Sequence, residues 1–178
     1  MTRSSSLLIV VPLLGACLWT TPEQAAEDAL PYDGREGPTH MPGYPCLACH
    51  SEEHSPGDEV FVLAGTVYER AGDAWGLQGA EVRVTDEAGH ELSVVTNEAG
   101  NFMVRDGDGD REDDERGRGE TRIGFKLDWP LRVEVRHGER VRHMRSRIHR
   151  EGSCATCHVL GAPSATSAGP IFLVEDPP

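Results

Sequence analysis

The chain has 178 residues, of which 38% are hydrophobic, 26% are charged and only 6% are aromatic. This length allows one modest domain with terminal extensions. The formal net charge of −13 excludes the electrostatic attraction on which nucleic-acid binding depends, and it favours partners with basic surfaces.

Residues 1–16 have the pattern of a secretory signal peptide. Arg3 supplies a positive charge, and residues 7–14 (LLIVVPLL) form an apolar run that is too short to span a bilayer. Two small residues precede Cys17, as in a bacterial lipobox, where the cysteine is lipidated and becomes the mature N-terminus. The alternative is ordinary cleavage near Ala25, which would discard Cys17. With either lipidation or ordinary cleavage, the protein is predicted to be exported, to the bacterial periplasm or as an outer-membrane or cell-surface lipoprotein.

Residues 17–45 are rich in Pro, Gly, Glu and small residues, and we predict a flexible tether there. The tether ends at the first of two copies of one five-residue motif. The first copy is Cys46-Leu47-Ala48-Cys49-His50, and the second is Cys154-Ala155-Thr156-Cys157-His158.

C-x-x-C-H is the attachment sequence of a c-type haem. Two thiols on one short turn add across the vinyl groups of the porphyrin, and the next residue offers its imidazole to the iron. The two motifs therefore predict two haem c groups per chain. The covalent bonds would be made by Cys46, Cys49, Cys154 and Cys157, and the proximal iron ligands would be His50 and His158.

Three other uses of paired cysteines are open. Two C-x-x-C pairs can build a zinc site, although zinc does not require a histidine directly after each pair. A redox dithiol of the thioredoxin kind belongs to a βαβ unit, and the sequence indicates none. Disulfides between four cysteines do not call for the following histidines either. The doubled motif and the predicted export together favour haem.

Short apolar stretches in residues 60–146 alternate with Gly-containing turns, a pattern typical of β-strands. No long amphipathic helix is indicated, so we predict an all-β fold built as a single β-sandwich. The predicted strands are 60–68, 80–85, 92–96, 101–104, 123–127, 131–136 and 141–145. The predicted hairpin turns are 86–90, 98–101 and 137–139.

Three stretches resemble the carboxypeptidase regulatory-like domain: residues 65–68 (GTVY), 79–84 (GAEVRV) and 96–102 (TNEAGNF). The likeness extends over residues 65–104. It implies a Greek-key, transthyretin-like or prealbumin-like sandwich that serves as a scaffold or adhesion module without catalytic residues. The order of motif, sandwich and motif also resembles small exported dihaem c-type cytochromes. The chain then divides into a signal peptide (1–16), a tether (17–45), a first haem-attachment segment (46–59), the sandwich (60–146), and a second haem-attachment segment with the C-terminal tail (147–178).

An acidic run follows the resembling region. It starts at Asp106 with alternating aspartates, which suggests calcium, but an EF-hand loop needs Gly at its sixth position and Glu at its twelfth. Those positions hold Arg111 and Gly117. We therefore predict a solvated loop, and the sequence leaves Ca²⁺ binding by residues 106–115 open.

The motifs do not determine the sixth ligand of either iron. His40 and His149 precede the motifs by a few residues, so each could fold over a haem through a turn. His54 shares a helical face with His50 and would reach only a neighbouring haem. Met144 is either a core residue or an axial thioether, and a thioether would raise the potential. Histidines outnumber methionines near the motifs, which favours two imidazoles per iron.

These observations predict an electron carrier and not an enzyme. Dihaem peroxidases use a larger and mostly helical body, which this chain lacks. A haem-bearing surface or sensor module, which binds a gas or responds to the redox state, is the second hypothesis. The expected partners are redox proteins with basic docking surfaces, further copies of the chain and, through Cys17, a membrane.

Overall fold

The structure is a computed structural model that describes residues 37–54, 60–107, 115–161, 164–165 and 167–174. The predicted signal peptide, Cys17 and most of the predicted tether lie outside these residues. So do residues 108–114, on which the question of calcium binding depends. Within the described ranges, no helix has the length and apolar character needed to cross a membrane.

The described residues form eight strands in two four-stranded sheets. The first sheet has the order β5-β4-β1-β8, and the second has the order β3-β2-β6-β7. The all-β prediction is confirmed. The strands are β1 (Leu63–Tyr68), β2 (Glu81–Thr85), β3 (Glu91–Val95), β4 (Asn101–Asp106), β5 (Glu120–Ile123), β6 (Arg132–His137), β7 (Arg140–His143) and β8 (Ile171–Phe172).

Six strands overlap the predicted ranges with shifted ends, of which β1 begins at Leu63 and not at residue 60, and β5 and β8 differ more. β5 begins and ends earlier than 123–127, because residues 120–123 pair in parallel with β4. The apolar residues Phe125 and Leu127 pack on the core from irregular chain instead. The sequence did not reveal β8, since a pair of residues carries no periodicity. β8 pairs in parallel with Val67 and Tyr68 of β1.

Two of the three predicted hairpins are confirmed. The turns at 86–90 and 137–139 join antiparallel neighbours, β2 with β3 and β6 with β7. The turn at 98–101 is not a hairpin, because β3 and β4 belong to different sheets. This turn carries the chain from the second sheet to the first.

One hydrophobic core is shared by the two sheets. β2 and β3 contribute every second residue to it, so their other face remains accessible. Each fully buried Val or Leu side chain contributes about 1.5–3 kcal/mol. The largest completely buried apolar side chains are Phe102, Leu63, Leu131, Val67, Val82, Val84 and Val104.

β1 departs from this half-buried pattern, because all six of its residues are buried. Its inner face contributes to the shared core. Its outer face carries a second, smaller cluster in which Phe61, Ala64 and Met103 are buried, with Cys46 and Leu47 packed against them. The first motif therefore covers the outer face of the first sheet.

Candidate functional site

Each C-x-x-C-H motif folds as the same short turn. The 3₁₀ turns are Cys46–Ala48 and Cys154–Thr156, and the residue before each is extended (φ −72°, ψ 94° for Pro45; φ −87°, ψ 102° for Ser153). In both motifs the first cysteine's carbonyl oxygen accepts two N–H groups. The second cysteine donates at 3.2 Å and the histidine donates at 2.9 Å. Both motifs thus project two sulfurs and an imidazole from one turn.

The two cysteines of each motif differ in exposure in the same way. Cys154 is buried in the shared core and Cys46 packs on the outer-face cluster, whereas Cys49 and Cys157 are exposed. Of the cysteines in the described part of the chain, none is in a disulfide. Each motif therefore turns its first sulfur inward and its second outward.

The surroundings of the inward sulfurs favour a neutral group. Burial raises the pKa of the Cys46 thiol to about 11. Burial, together with the nearby Cys46, raises the pKa of Cys154 to about 12. Such surroundings disfavour a thiolate as long as no metal ion is bound. A thioether carries no charge and fits them. In the described ranges, no group of three or more His, Cys, Asp or Glu residues is arranged to hold a metal ion.

The motifs come from opposite ends of the chain and meet beside the start of β1. The N–H of Phe61 donates to the carbonyl oxygen of His50 at 2.8 Å. The N–H of Ala64 donates to the carbonyl oxygen of Gly152 at 2.9 Å, and Ala64 also forms a parallel β-bridge with Ser153. Phe61 and Ala64, only three residues apart, therefore fix the backbone of both motif segments.

The motif segments also contact each other directly, and glycine makes this approach possible. A Cβ atom on Gly152 would lie 3.0 Å from Cδ2 of Leu47 in the first motif. A Cβ atom on Gly43 would lie 2.6 Å from Cδ2 of Leu160, which follows the second motif. Both distances are shorter than ordinary van der Waals contact. The two segments therefore pack side by side.

His158 is oriented by the chain that follows it. Its Nδ1 lies 2.9 Å from the carbonyl oxygen of Gly169. Because a carbonyl can only accept, Nδ1 carries a proton, and in the neutral tautomer Nε2 has the lone pair. Ser167 Oγ donates to the carbonyl oxygen of Cys157 at 3.2 Å, and it accepts the N–H groups of Val159 and Gly169 at 3.1 and 3.0 Å. This folded-back segment fixes the orientation of the His158 ring.

His50 is held by different neighbours. Its ring packs on Phe61, with ring centroids 4.7 Å apart and an interplanar angle of 35°. The ring of His40 lies close by, with its centroid 5.7 Å from that of His50 and an interplanar angle of 57°. Both imidazoles line a small cleft together with Cys46 and Cys49.

The other candidate distal ligands lie in different surroundings. His54 is exposed, with its Nδ1 3.2 Å from Ser51 Oγ. His149 is exposed and follows Ile148, which pairs with Leu131. Met144 donates its N–H to Val133 and lines a groove on the second sheet, whereas both motifs pack on β1 of the first sheet. Among the described residues, His40 is the candidate whose ring lies next to that of a motif histidine.

A buried polar network holds residues 37–43, which the prediction grouped with the tether, on the outer face of the first sheet. Thr66 Oγ1 accepts the N–H of Gly43 and donates to Asn101 Oδ1, both at 2.7 Å. Asn101 Nδ2 in turn donates to the carbonyl oxygen of His40 at 3.0 Å. The first sheet therefore fixes the backbone that carries His40.

Asn97 extends the same network. Its Nδ2 donates to the carbonyl oxygens of Pro38 at 2.7 Å and Arg118 at 3.0 Å. Its Oδ1 accepts the N–H groups of Ala99 and Asn101, both at 3.0 Å. Sequence reasoning missed Asn97, Asn101, Ser167 and Gly169. Asn97 and Asn101 lie in the 96–102 stretch, which the sequence relates only to the resembling domain and to a turn at 98–101, and Ser167 and Gly169 belong to no predicted element.

No protein-family model, curated protein or solved structure matches this chain. Function is therefore inferred from the geometry of the two motifs.

Proposed function

We propose that this chain is an exported electron-transfer protein that carries two covalently attached haem c groups. The observation that carries the proposal is the equivalence of the two motifs, which have the same turn, the same two hydrogen bonds and the same inward and outward cysteines. The first haem would be attached to Cys46 and Cys49 with His50 as iron ligand, and the second to Cys154 and Cys157 with His158.

Haem supplies an iron that changes between oxidised and reduced forms. The role of the chain is to anchor the group and orient the ligand. The inward sulfurs of Cys46 and Cys154 lie in surroundings where a thiolate is disfavoured, and an uncharged thioether is compatible with such surroundings. The bond from His158 Nδ1 to the carbonyl oxygen of Gly169 fixes the ring and makes Nε2 a stronger ligand.

The contact between the two motif segments supports electron transfer between the two haems. Leu47 faces Gly152, and Gly43 faces Leu160. Groups attached to these segments would be neighbours, and they would not serve separate partners at distant ends of the molecule. Further copies of the chain and redox proteins with basic surfaces are the proposed partners, the latter because of the net charge of −13.

The β-domain would serve as the scaffold of this pair. Its two sheets around one core agree with the prealbumin-like, Greek-key sandwich that the resemblance to carboxypeptidase regulatory-like domains implies. Export, with lipidation of Cys17 as the proposed membrane anchor, supports the function, because c-type haem is attached after the chain leaves the cytoplasm.

The test is the absorption spectrum of the reduced, purified protein together with haem detection after denaturing electrophoresis. We expect c-type haem bands and haem that stays with the denatured chain. Loss of all haem on denaturation would contradict covalent attachment. Rapid binding of CO by both reduced haems would instead indicate open iron sites and favour a gas sensor or a small peroxidase over an electron carrier.

A further inference from the structure

We infer that His40 is the sixth ligand of the iron held by His50, so that two imidazoles coordinate the first haem. This inference rests on the proposed function, because His40 has no iron to bind if no haem is attached. It gives residues 37–43, which precede the first motif, a role in holding the first haem.

The distance between the two rings fits a metal between them. Bonds from a metal to imidazole nitrogens are about 2 Å long, so two imidazoles on opposite sides of one ion have ring centres on the order of 6 Å apart. The rings of His40 and His50 have centroids 5.7 Å apart. The cleft that they share is also lined by Cys46 and Cys49, the two residues that would carry the porphyrin.

The tautomer of His40 fits the same role. Its Nδ1 makes a hydrogen bond with the carbonyl oxygen of Gly37, which can only accept. Nδ1 therefore carries a proton, and in the neutral tautomer Nε2 has the lone pair that a metal needs. His158 has the same arrangement with the carbonyl oxygen of Gly169. A backbone carbonyl on Nδ1 is the usual way in which a protein orients a ligating histidine.

The backbone of His40 is fixed at some energetic cost. The next residue, Met41, has a φ of 46°, a left-handed conformation that is unfavourable for a residue with a side chain. The bonds from Asn101 to His40 and from Gly43 to Thr66 flank this position. A strained residue held between two buried anchors is typical of a functional site.

Met41 also lines the cleft, and its thioether makes it the natural competitor for the iron. It serves as a matched control, because Met41→Leu keeps the apolar volume and removes the sulfur. His54→Ala is the second control, since it removes an exposed histidine four residues from His50.

The experiment uses the full chain with Cys154→Ala and Cys157→Ala, so that only the first haem is attached. We expect this parent to be low-spin and unreactive towards CO. Adding His40→Ala should make the oxidised haem high-spin and let the reduced haem bind CO stoichiometrically, and free imidazole should restore the low-spin spectrum. Met41→Leu and His54→Ala should behave like the parent. If the parent folds poorly, the same substitutions in the wild-type chain should give one additional CO-binding haem for His40→Ala alone.

Retention of a low-spin, CO-unreactive haem in His40→Ala would overturn the assignment, as would rapid CO binding by the parent or a high-spin spectrum in Met41→Leu alone. Absence of covalent haem from the parent and the wild type would instead refute the proposed function. Haem content and spin state therefore distinguish the two failures.

Discussion

The two C-x-x-C-H motifs have the same local fold but opposite surroundings. Both form a 3₁₀ turn with matching hydrogen bonds. The second motif inserts Cys154 into the core that both sheets share, whereas the first packs Cys46 on the small cluster outside the first sheet. The five-residue sequence thus decides the turn, and the tertiary structure decides what surrounds it.

The two motif histidines are also held by different neighbours. His158 is oriented by the carbonyl oxygen of Gly169, from chain that follows its own motif. His50 is held between the ring of Phe61 and the cleft that it shares with His40. Two sites that share the C-x-x-C-H pattern would therefore have different ligand environments, and their potentials are expected to differ, since hydrogen bonding and burial set the potential.

The largest expected effect is the loss of one haem. Replacing Cys46 and Cys49 with Ala, or Cys154 and Cys157 with Ala, should halve the covalent haem per chain in either case, because the motifs are equivalent. Both variants should keep their β-sheet circular dichroism. Retention of two haems by either variant would refute the assignment of that motif.

The second prediction concerns how tightly the second motif segment packs on β1. A Cβ atom on Gly152 would lie 2.2 Å from the carbonyl oxygen of Val62, so Gly152→Ala must displace the second motif segment from β1. We expect the free energy of unfolding in urea to fall by about 1–3 kcal/mol. Gly72→Ala is the control, because nothing lies within 4 Å of a Cβ at that position. Equal stability of the two variants would show that the second segment is not packed as described.

The third prediction concerns the support of the first motif. Asn101→Ala leaves the Thr66 hydroxyl and the carbonyl oxygen of His40 without their partner, which should cost about 1–3 kcal/mol. Hydrogen exchange of the Gly43 N–H should become faster, while that of the Ala64 N–H, bonded to Gly152, should change less. Equal acceleration at both positions would mean that the two segments open together.

Sequence patterns could predict what depends on local spacing. The alternation of apolar residues gave most strands, and the motif spacing gave the candidate haem residues. Local spacing could not reveal that residues 37–43 pack on the outer face of the first sheet. The buried asparagines that hold them there, Asn97 and Asn101, follow no periodicity. The choice among His40, His149 and Met144 depends on which sheet each lies against, and no local pattern encodes that.

The smallest expected effect lies far from both motifs, at the turn between β2 and β3. Burial alone would raise the pKa of Asp86, but hydrogen bonds from the His90 side chain and from the N–H groups of Asp128 and His90 lower it to about 2, from an ordinary 3.8. A lowered pKa stabilises the fold above pH 3.8, and this contribution is lost as the pH falls towards 2. Asp86→Asn should therefore flatten the loss of stability in acid.

The same variant should leave the haem spectrum unchanged, because Asp86 belongs to the turn that joins two strands of the second sheet. Unfolding followed by circular dichroism between about pH 2 and 4 provides the measurement. If Asp86→Asn loses stability in acid as steeply as the wild type does, the Asp86 contacts do not stabilise the native state. A changed haem spectrum would show that the turn and the motif segments are coupled.

The central claim, two covalent haems on one β-domain, is tested most directly by the intact mass of the chain purified after export. We predict a mass increased by two haem groups, which remain after unfolding in denaturant and reductant. A chain of unmodified mass with four reactive thiols in residues 46–49 and 154–157 would contradict the account.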